Sequence, residues 1–178
     1  YKHLWPNGPV PHITNFPRNL STRRHKPSFR WSPQSQIVRF ESQSHVMTTR
    51  ELIEAYFNAF NAHDAESMLA LLHPEVIHDI NEGATETGLE AFRKFKAHMD
   101  ICYREQITDM VIMVEGDRGC CDFICHGEYL QTDPGLPPAH GQKYSIAGCA
   151  IFVCEAGKIM RITSYYNLEN WTQQVRNS

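Results

Sequence analysis

The chain has 178 residues and a formal net charge of −3, which is enough sequence for one sizeable hydrophobic core. Residues 47–178 carry ten Lys/Arg and nineteen Asp/Glu, and this net charge of −9 argues against nucleic-acid binding, which needs a basic surface. No apolar run approaches the ~20 residues that span a bilayer, so the sequence predicts a soluble protein.

Residues 1–46 have the opposite charge, with seven Lys/Arg, one acid and six of the ten prolines. They show no sustained helical or strand period, so we expect an unstructured basic Pro/Ser-rich tail before a single domain over residues 47–178. The Arg-rich, acid-poor composition is typical of an organellar transit peptide. Alternatively, Met47 is the native start, and the upstream part is incomplete or non-native sequence.

All six cysteines lie in the predicted domain, and no pair of them has the spacing of a zinc site. Free cysteine behaves as a small buried hydrophobe, so reduced thiols in the core are expected. This favours a reducing compartment. The predicted location is the cytoplasm, or an organelle if residues 1–46 are a transit peptide.

The domain begins with two predicted helices. Thr48 and Glu51 form a capping box at the start of the first one. The apolar residues on one face of this helix are Leu52, Tyr56, Ala59 and Phe60. Asp64 caps a second, short helix, which Pro74 is expected to end.

The next segment predicts a strand over 76–81, a turn at 82–84 and a third helix. Thr87 and Glu90 form a second capping box before that helix. Its inward face would consist of Leu89, Phe92, Phe95 and Met99.

Strands follow to the end of the domain. They are predicted over Gln106–Val114, Gly119–Leu130, Gln142–Cys154 and Lys158–Tyr166. Short Gly-containing turns and a Pro-rich loop over 132–141 separate them, which is typical of an antiparallel meander. Helices segregated on one face of such a sheet give an α+β domain, and residues 168–175 have the spacing of a short amphipathic end helix.

This element order, together with the string YFNAFNAHDAESMLALLHPEV, resembles the nuclear transport factor 2-like superfamily. Within it, IHDIN, LQTDPGLP and TSYYNLENW resemble the ketosteroid isomerase-related and SnoaL-like proteins. The resemblance implies a cone-shaped curved antiparallel sheet wrapped around three N-terminal helices, an apolar cavity and a homodimer. This scaffold hosts isomerases, hydrolases, cyclases and binding modules, so the chemistry has to be argued from the site.

Proton abstraction beside a carbonyl needs a base near the carbon and donors that stabilise the enolate oxygen. Ketosteroid isomerases use an Asp base, an inward Tyr and a protonated Asp. The resemblance places Tyr56, five residues before Asn61, at the position of the inward Tyr. The alternative is a core tyrosine whose hydroxyl bonds a backbone carbonyl.

The base has three candidate positions in the first strand. An ungapped register places Ile80 where the isomerases have Asp, and deletion of one residue near 73–74 places Asp79 there. Strand alternation lets only one of His78 and Asp79 face the cavity. His78 is a candidate because an unperturbed histidine titrates near physiological pH. Asp79 is a candidate because a cavity could raise its pKa into the working range, and Asp79 is slightly favoured on chemical grounds. Either residue could also serve only to orient the ligand.

The protonated Asp of the ketosteroid isomerases has no counterpart in this chain. The resemblance places it within residues 147–152, which read Ala-Gly-Cys-Ala-Ile-Phe and contain no acid. Loss of one such donor can cost ~10²-fold or more in rate, so true steroid isomerisation is not expected. Alternation allows only one of Tyr165 and Tyr166 to point inward, and Tyr166 is favoured because it shares a face with Ser164. The predicted pocket residues are Phe60, Asn81, Tyr129, Tyr144, Ser164 and Tyr166.

The sequence therefore predicts a ketosteroid isomerase-like enzyme without cofactor or metal. It would transfer protons on an apolar carbonyl or polyketide-like substrate through Asp79 or His78, with Tyr56 binding the oxygen. The alternative is a non-catalytic ligand-binding or dimerisation module of the same fold.

Overall fold

The computed structural model describes residues 46–81 and 83–178. The expectations for the tail and for Glu82 lie outside the described residues. The elements are α1 (Thr49–Asn61), α2 (Ala65–Leu71), β1 (Leu72–Ile80), β2 (Thr85–Thr87), α3 (Leu89–Cys102), β3 (Tyr103–Glu115), β4 (Arg118–Tyr129), β5 (Gln142–Glu155), β6 (Lys158–Tyr166) and α4 (Leu168–Arg176). Among the described residues, no helix is both long enough and apolar enough to cross a bilayer.

Helix α1 begins as predicted. The Thr48 hydroxyl accepts a hydrogen bond from the backbone N–H of Glu51, and the Glu51 carboxylate accepts one from the N–H of Thr48 at 2.7 Å. At the other end, the Asn61 side chain donates to the carbonyl of Ile107 at 2.9 Å and accepts from its N–H at 2.8 Å. This pair of bonds fixes the end of α1 against β3.

Three local predictions are wrong: the end of α2, the start of β1 and the cap of α3. The second helix ends at Leu71, and β1 begins at once and includes Pro74, which falls where its pairing with β6 is irregular. Thr87 does not cap α3, because it belongs to the short strand β2 and pairs with Ile77. The cap of α3 is Gly88, with a φ of 93° and no side-chain hydrogen bond.

The sheet has six strands in the order β2-β1-β6-β5-β4-β3. The predicted meander from β3 to β6 is confirmed, and the α+β class with a curved, cone-like sheet is confirmed as well. The sheet is not wholly antiparallel, however, because β1 and β6 pair in parallel. These two strands are joined by most of the domain, which is long enough for a parallel connection.

The core lies between the helices and the concave face of the sheet. Helix α4 packs against β5, where Trp171 and Val175 are buried, and it matches the predicted end helix. The Trp171 ring contacts the rings of Tyr129 and Tyr144 with centroid distances of 5.1 and 5.8 Å. The helices and the curved sheet leave a space at the centre of the domain.

Candidate functional site

A cavity of about 190 Å³ lies between the helices and the sheet, and most of its wall is apolar. The polar side chains in its wall include Tyr56, His78, Lys96, Glu105, Tyr144, Ser164 and Tyr166. An apolar hollow with a few polar groups is the usual form of a small-molecule site.

His78 and Tyr56 lie at the same level of the cavity. In the sheet, His78 is opposite Ile162, and Ile162 is opposite Phe152. The Tyr56 ring packs on the ring of Phe152 with a centroid distance of 5.5 Å. One row of paired residues therefore carries the imidazole from β1 and supports the phenol from α1.

His78 is an uncharged base in this setting. Its side chain is buried, and its ring lies 4.6 Å from the Phe95 ring and 5.0 Å from the Phe92 ring between centroids. Burial lowers the pKa of His78 to about 4, against a smaller opposing effect of the Asp79 charge. The Nδ1 atom is shielded and has no hydrogen-bond partner among the described residues. At neutral pH one ring nitrogen is thus an acceptor.

Tyr56 is a buried phenol that can donate a hydrogen bond. No hydrogen bond joins its hydroxyl to any described residue, so the alternative of a core tyrosine bonded to a backbone carbonyl is not found. Burial raises the pKa of Tyr56 well above its usual range, because it disfavours the phenolate. The proton therefore stays on the oxygen at any ordinary pH.

Asp79 faces away from the cavity, so the preference for Asp79 as the inward group is wrong. One carboxylate oxygen accepts hydrogen bonds from Arg161 Nε at 2.7 Å and from the Thr163 hydroxyl at 2.9 Å, and the other accepts one from Thr85 at 2.9 Å. Burial alone would raise the pKa of Asp79, but these bonds and the Arg161 charge outweigh it and lower the pKa. Ile80 lines the cavity beside His78, as strand alternation requires.

Of the six predicted pocket residues, four line the cavity: Phe60, Tyr144, Ser164 and Tyr166. Asn81 does not, because its side chain accepts a hydrogen bond from the backbone N–H of Tyr166 at 3.0 Å. Tyr129 is fully buried behind the wall, where its hydroxyl accepts from the N–H of Asp133 at 2.7 Å. Tyr165 and Tyr166 both line the cavity, so the expectation of only one is wrong at this strand end, where regular alternation stops.

Sequence reasoning missed Glu105. The Tyr144 hydroxyl donates a hydrogen bond to Glu105 Oε1 at 2.6 Å. Burial raises the pKa of the Glu105 carboxyl, and hydrogen bonds from Tyr144 and Cys125 and the Lys96 charge only partly oppose this. A signal was present, because Glu105 is two residues from buried Ile107 and so shares its strand face.

Lys96 is the other missed residue in the wall. It is a buried lysine whose ammonium group forms an ion pair with Asp100, one helical turn later. The ammonium also lies 5.7 Å from the centre of the Phe60 ring. The contacts with Asp100 and Phe60 stabilise the buried ammonium group. Lys96 is also close enough to Glu105 for its charge to lower the pKa of that carboxyl.

The family follows from the sequence match. Residues 53–162 match the model of the SnoaL-like domain family. The chain belongs to this family. No curated protein matches it significantly.

Solved structures with the same fold cover most of the described domain. A candidate polyketide cyclase from Pseudomonas putida is 47% identical over 72% of this chain and 98% of its own, with a TM-score of 0.72. A candidate polyketide cyclase from Xanthomonas campestris is 43% identical over 71% of this chain and 96% of its own, with a TM-score of 0.69. An epoxide hydrolase from M. tuberculosis, 12% identical over 72% of this chain and 90% of its own, has a TM-score of 0.60 and shares the fold.

A set of potential metal ligands lies outside the cavity of this SnoaL-like domain. One ligand atom each from His98, Cys102 and Asp133 lies within 4.8 Å of the others. His98 Nε2 is 2.9 Å from Asp133 Oδ1, and the Tyr103 hydroxyl donates to Asp133 Oδ2 at 2.8 Å. These bonds join the Pro-rich loop to α3, and Leu136 from that loop lines the cavity. The contacts explain the cluster as a loop anchor, and the prediction of no metal stays a prediction.

Proposed function

We propose that this SnoaL-like protein is a small-molecule enzyme that moves a proton on an apolar carbonyl or polyketide-like substrate. His78 accepts the proton, and Tyr56 binds the substrate oxygen. The observation that supports this most is an uncharged imidazole beside the same sheet row as a phenol that has no hydrogen-bond partner among the described residues, both in the wall of an apolar cavity.

The proposed reaction needs two proton transfers. A neutral ring nitrogen of His78 takes a proton from the carbon beside the carbonyl, and the C–H electron pair becomes the C=C bond of an enolate. The Tyr56 hydroxyl donates a hydrogen bond to the enolate oxygen, where the negative charge develops. The imidazolium then returns the proton to another carbon, or the enolate carbon attacks a second carbonyl and closes a ring while the proton goes to the new alkoxide.

The low pKa of His78 restricts the substrate class. A base with a pKa of about 4 removes protons efficiently only from acidic carbons, because general-base strength follows basicity. Carbons between two carbonyl groups, or between a carbonyl and a double bond, meet this requirement. Polyketide-like compounds contain such carbons, and the named activity of the two candidate cyclases fits the same chemistry.

The cavity also restricts substrate size. An engineered protein cavity of about 150 Å³ holds a benzene molecule. The cavity here, at about 190 Å³, is only slightly larger. We therefore expect ligands with one or two rings rather than the four-ring frame of a steroid.

The direct test is a proton-transfer assay on a one-ring substrate. Cyclohex-3-enone should isomerise to its conjugated isomer in the presence of the full chain, which ultraviolet absorbance would follow. The Tyr56→Phe variant should be slower by about 10²–10³-fold, because it loses the donor to the enolate oxygen. Equal rates for the wild type and Tyr56→Phe, in samples that are equally folded by circular dichroism, would contradict the proposal.

We also propose that the protein is a homodimer that pairs through the outer face of its sheet. Met113 and Ile151 flank Cys120 in one outward row, and Met113 is 52% and Ile151 39% exposed. Val111, on the same face, is 55% exposed. Contiguous exposed apolar residues mark interaction surfaces. Sedimentation at micromolar concentration should give a dimer for the wild type and a monomer for Val111→Glu, and a monomeric wild type would refute this.

A further inference from the structure

The cavity has a second polar end. Glu105 of β3 pairs with Gly127 of β4, and Gly127 pairs with Tyr144 of β5, so the three residues form one row across the sheet. The Tyr144 hydroxyl donates to Glu105 Oε1 at 2.6 Å, which means that its side chain crosses the intervening strand. Both side chains line the cavity.

Gly127 makes this crossing possible. A Cβ atom at position 127 would lie 2.1 Å from Cζ of Tyr144 and 2.3 Å from its hydroxyl oxygen. No real carbon approaches another atom so closely without displacing it, so any other residue at 127 would push the tyrosine ring away. The hydrogen-bonded pair therefore depends on a specific sequence feature of β4.

The two polar ends belong to different rows of the sheet. Tyr144 and Phe152, which mark the two rows, are eight residues apart along β5. A straight strand of that length would span roughly 26 Å, and the curvature of the sheet shortens the distance. The wall between the rows includes the apolar residues Ile146 and Ala150 of β5 and Phe123 of β4.

We propose that Glu105 and Tyr144 form an oxygen-binding subsite, and that the ligand carries two oxygen substituents at opposite ends of an apolar frame. One substituent is the carbonyl at His78 and Tyr56, and the other is a hydroxyl or carbonyl group at Glu105. This inference rests on the proposed function in that it uses the same cavity and the same reacting end.

The chemistry of the pair suits such a substituent. Burial raises the pKa of the Glu105 carboxyl, and in its protonated form one oxygen donates a hydrogen bond while the other accepts the Tyr144 bond. A buried polar group that gains a ligand partner contributes to affinity, whereas an apolar ligand end placed there would leave it unsatisfied.

Binding of unreactive probes tests the subsite without turnover. The first pair is 2-naphthol and 2,6-dihydroxynaphthalene, and the second is 4-hydroxybiphenyl and 4,4′-dihydroxybiphenyl, whose hydroxyl groups are further apart. Each pair differs only in the second hydroxyl group. Dissociation constants for the full chain would be measured by calorimetry, with naphthalene as the apolar reference that also reports an intact cavity.

In the wild type, the second hydroxyl should tighten binding by about tenfold in at least one pair, as one additional buried hydrogen bond does. Glu105→Leu and Tyr144→Phe should reduce this gain to less than twofold while naphthalene still binds. Glu105→Gln should keep part of the gain, because an amide can both donate and accept. Glu128→Leu is the matched control, since Glu128 faces outward and bonds Arg104, and it should leave the gain unchanged.

Three results would overturn the inference. One is no gain from the second hydroxyl in either pair, and another is an equal gain in the wild type and in Glu105→Leu. Either of these leaves the proposed function standing if 2-naphthol still binds. The third is failure of every probe, including naphthalene, to bind the wild type, which would count against the proposed function as well.

Discussion

The two faces of β1 place neighbouring residues in opposite environments. His78 points into an apolar cavity, where burial keeps its imidazole uncharged. Asp79 points away from the cavity, where two hydroxyl groups and the Arg161 guanidinium keep its carboxylate ionised. The face of β1 on which each side chain lies therefore determines its surroundings and its access to the cavity.

Substitution of His78 should have the largest effect on the reaction rate. His78→Gln keeps a polar side chain but removes the base, and the rate of enone isomerisation should fall by about 10²–10⁴-fold. Asp79→Asn is the matched control on the other face, and it should change the rate by less than about threefold. A larger loss in Asp79→Asn than in His78→Gln would reverse the comparison.

The burial of His78 should also appear in folding stability. Its pKa is about 4 in the folded protein and near 6.5 when unfolded, so the unfolded chain binds more protons between these values. The free energy of unfolding should therefore decrease as pH falls from about 6.5 to about 4, by about 3 kcal/mol in total. Urea titrations across this range would measure the slope, and His78→Phe should show a shallower one. Identical slopes would indicate that His78 is not buried.

Loss of the ion pair on the outward face of β1 should change the free energy of unfolding less than the protonation of His78 does. Arg161→Gln removes the ionic partner of Asp79 but leaves the hydrogen bonds from Thr85 and Thr163. Because the Arg161 side chain is 49% exposed, solvent screens the pair, and the loss should be about 1 kcal/mol or less. Thermal unfolding of Arg161→Gln measures this, and a loss above about 3 kcal/mol would show that the pair is stronger than its exposure allows.

The smallest effect should come from the electrostatic coupling between Asp79 and His78, seen as a shift in the pH dependence of the rate. The charge of Asp79 raises the pKa of His78 against the effect of burial. Asp79→Asn should therefore lower the pKa of His78 further, and the acid limb of the rate profile should move to lower pH. A shift to higher pH would contradict the assigned electrostatic effect.

Sequence reasoning was accurate where a local pattern has one structural solution. The inward face of α1 and the four meander strands are of this kind. The choice between His78 and Asp79 was harder. Strand alternation shows that the two side chains lie on opposite faces, but it does not show which face is inward, and a register shift of one residue exchanges the two. Buried Val76 shares the face of His78 and was the available guide.

Glu105 was missed for a different reason. Strand β3 starts at Tyr103, directly after the last residue of α3, with no glycine or proline to mark the boundary. The predicted strand began at Gln106, so Glu105 was not assigned to any face. Its contact with Tyr144 also depends on Gly127 in another strand, and such a long-range fit cannot be deduced from local periodicity.

The most direct test of the proton-transfer account is an NMR titration of the His78 imidazole, assigned by comparison with His78→Gln. The account predicts that the ring stays neutral down to a pH of about 4 and that its signals shift when 2-naphthol binds. A ring that titrates near 6.5 and does not respond to the ligand would contradict it.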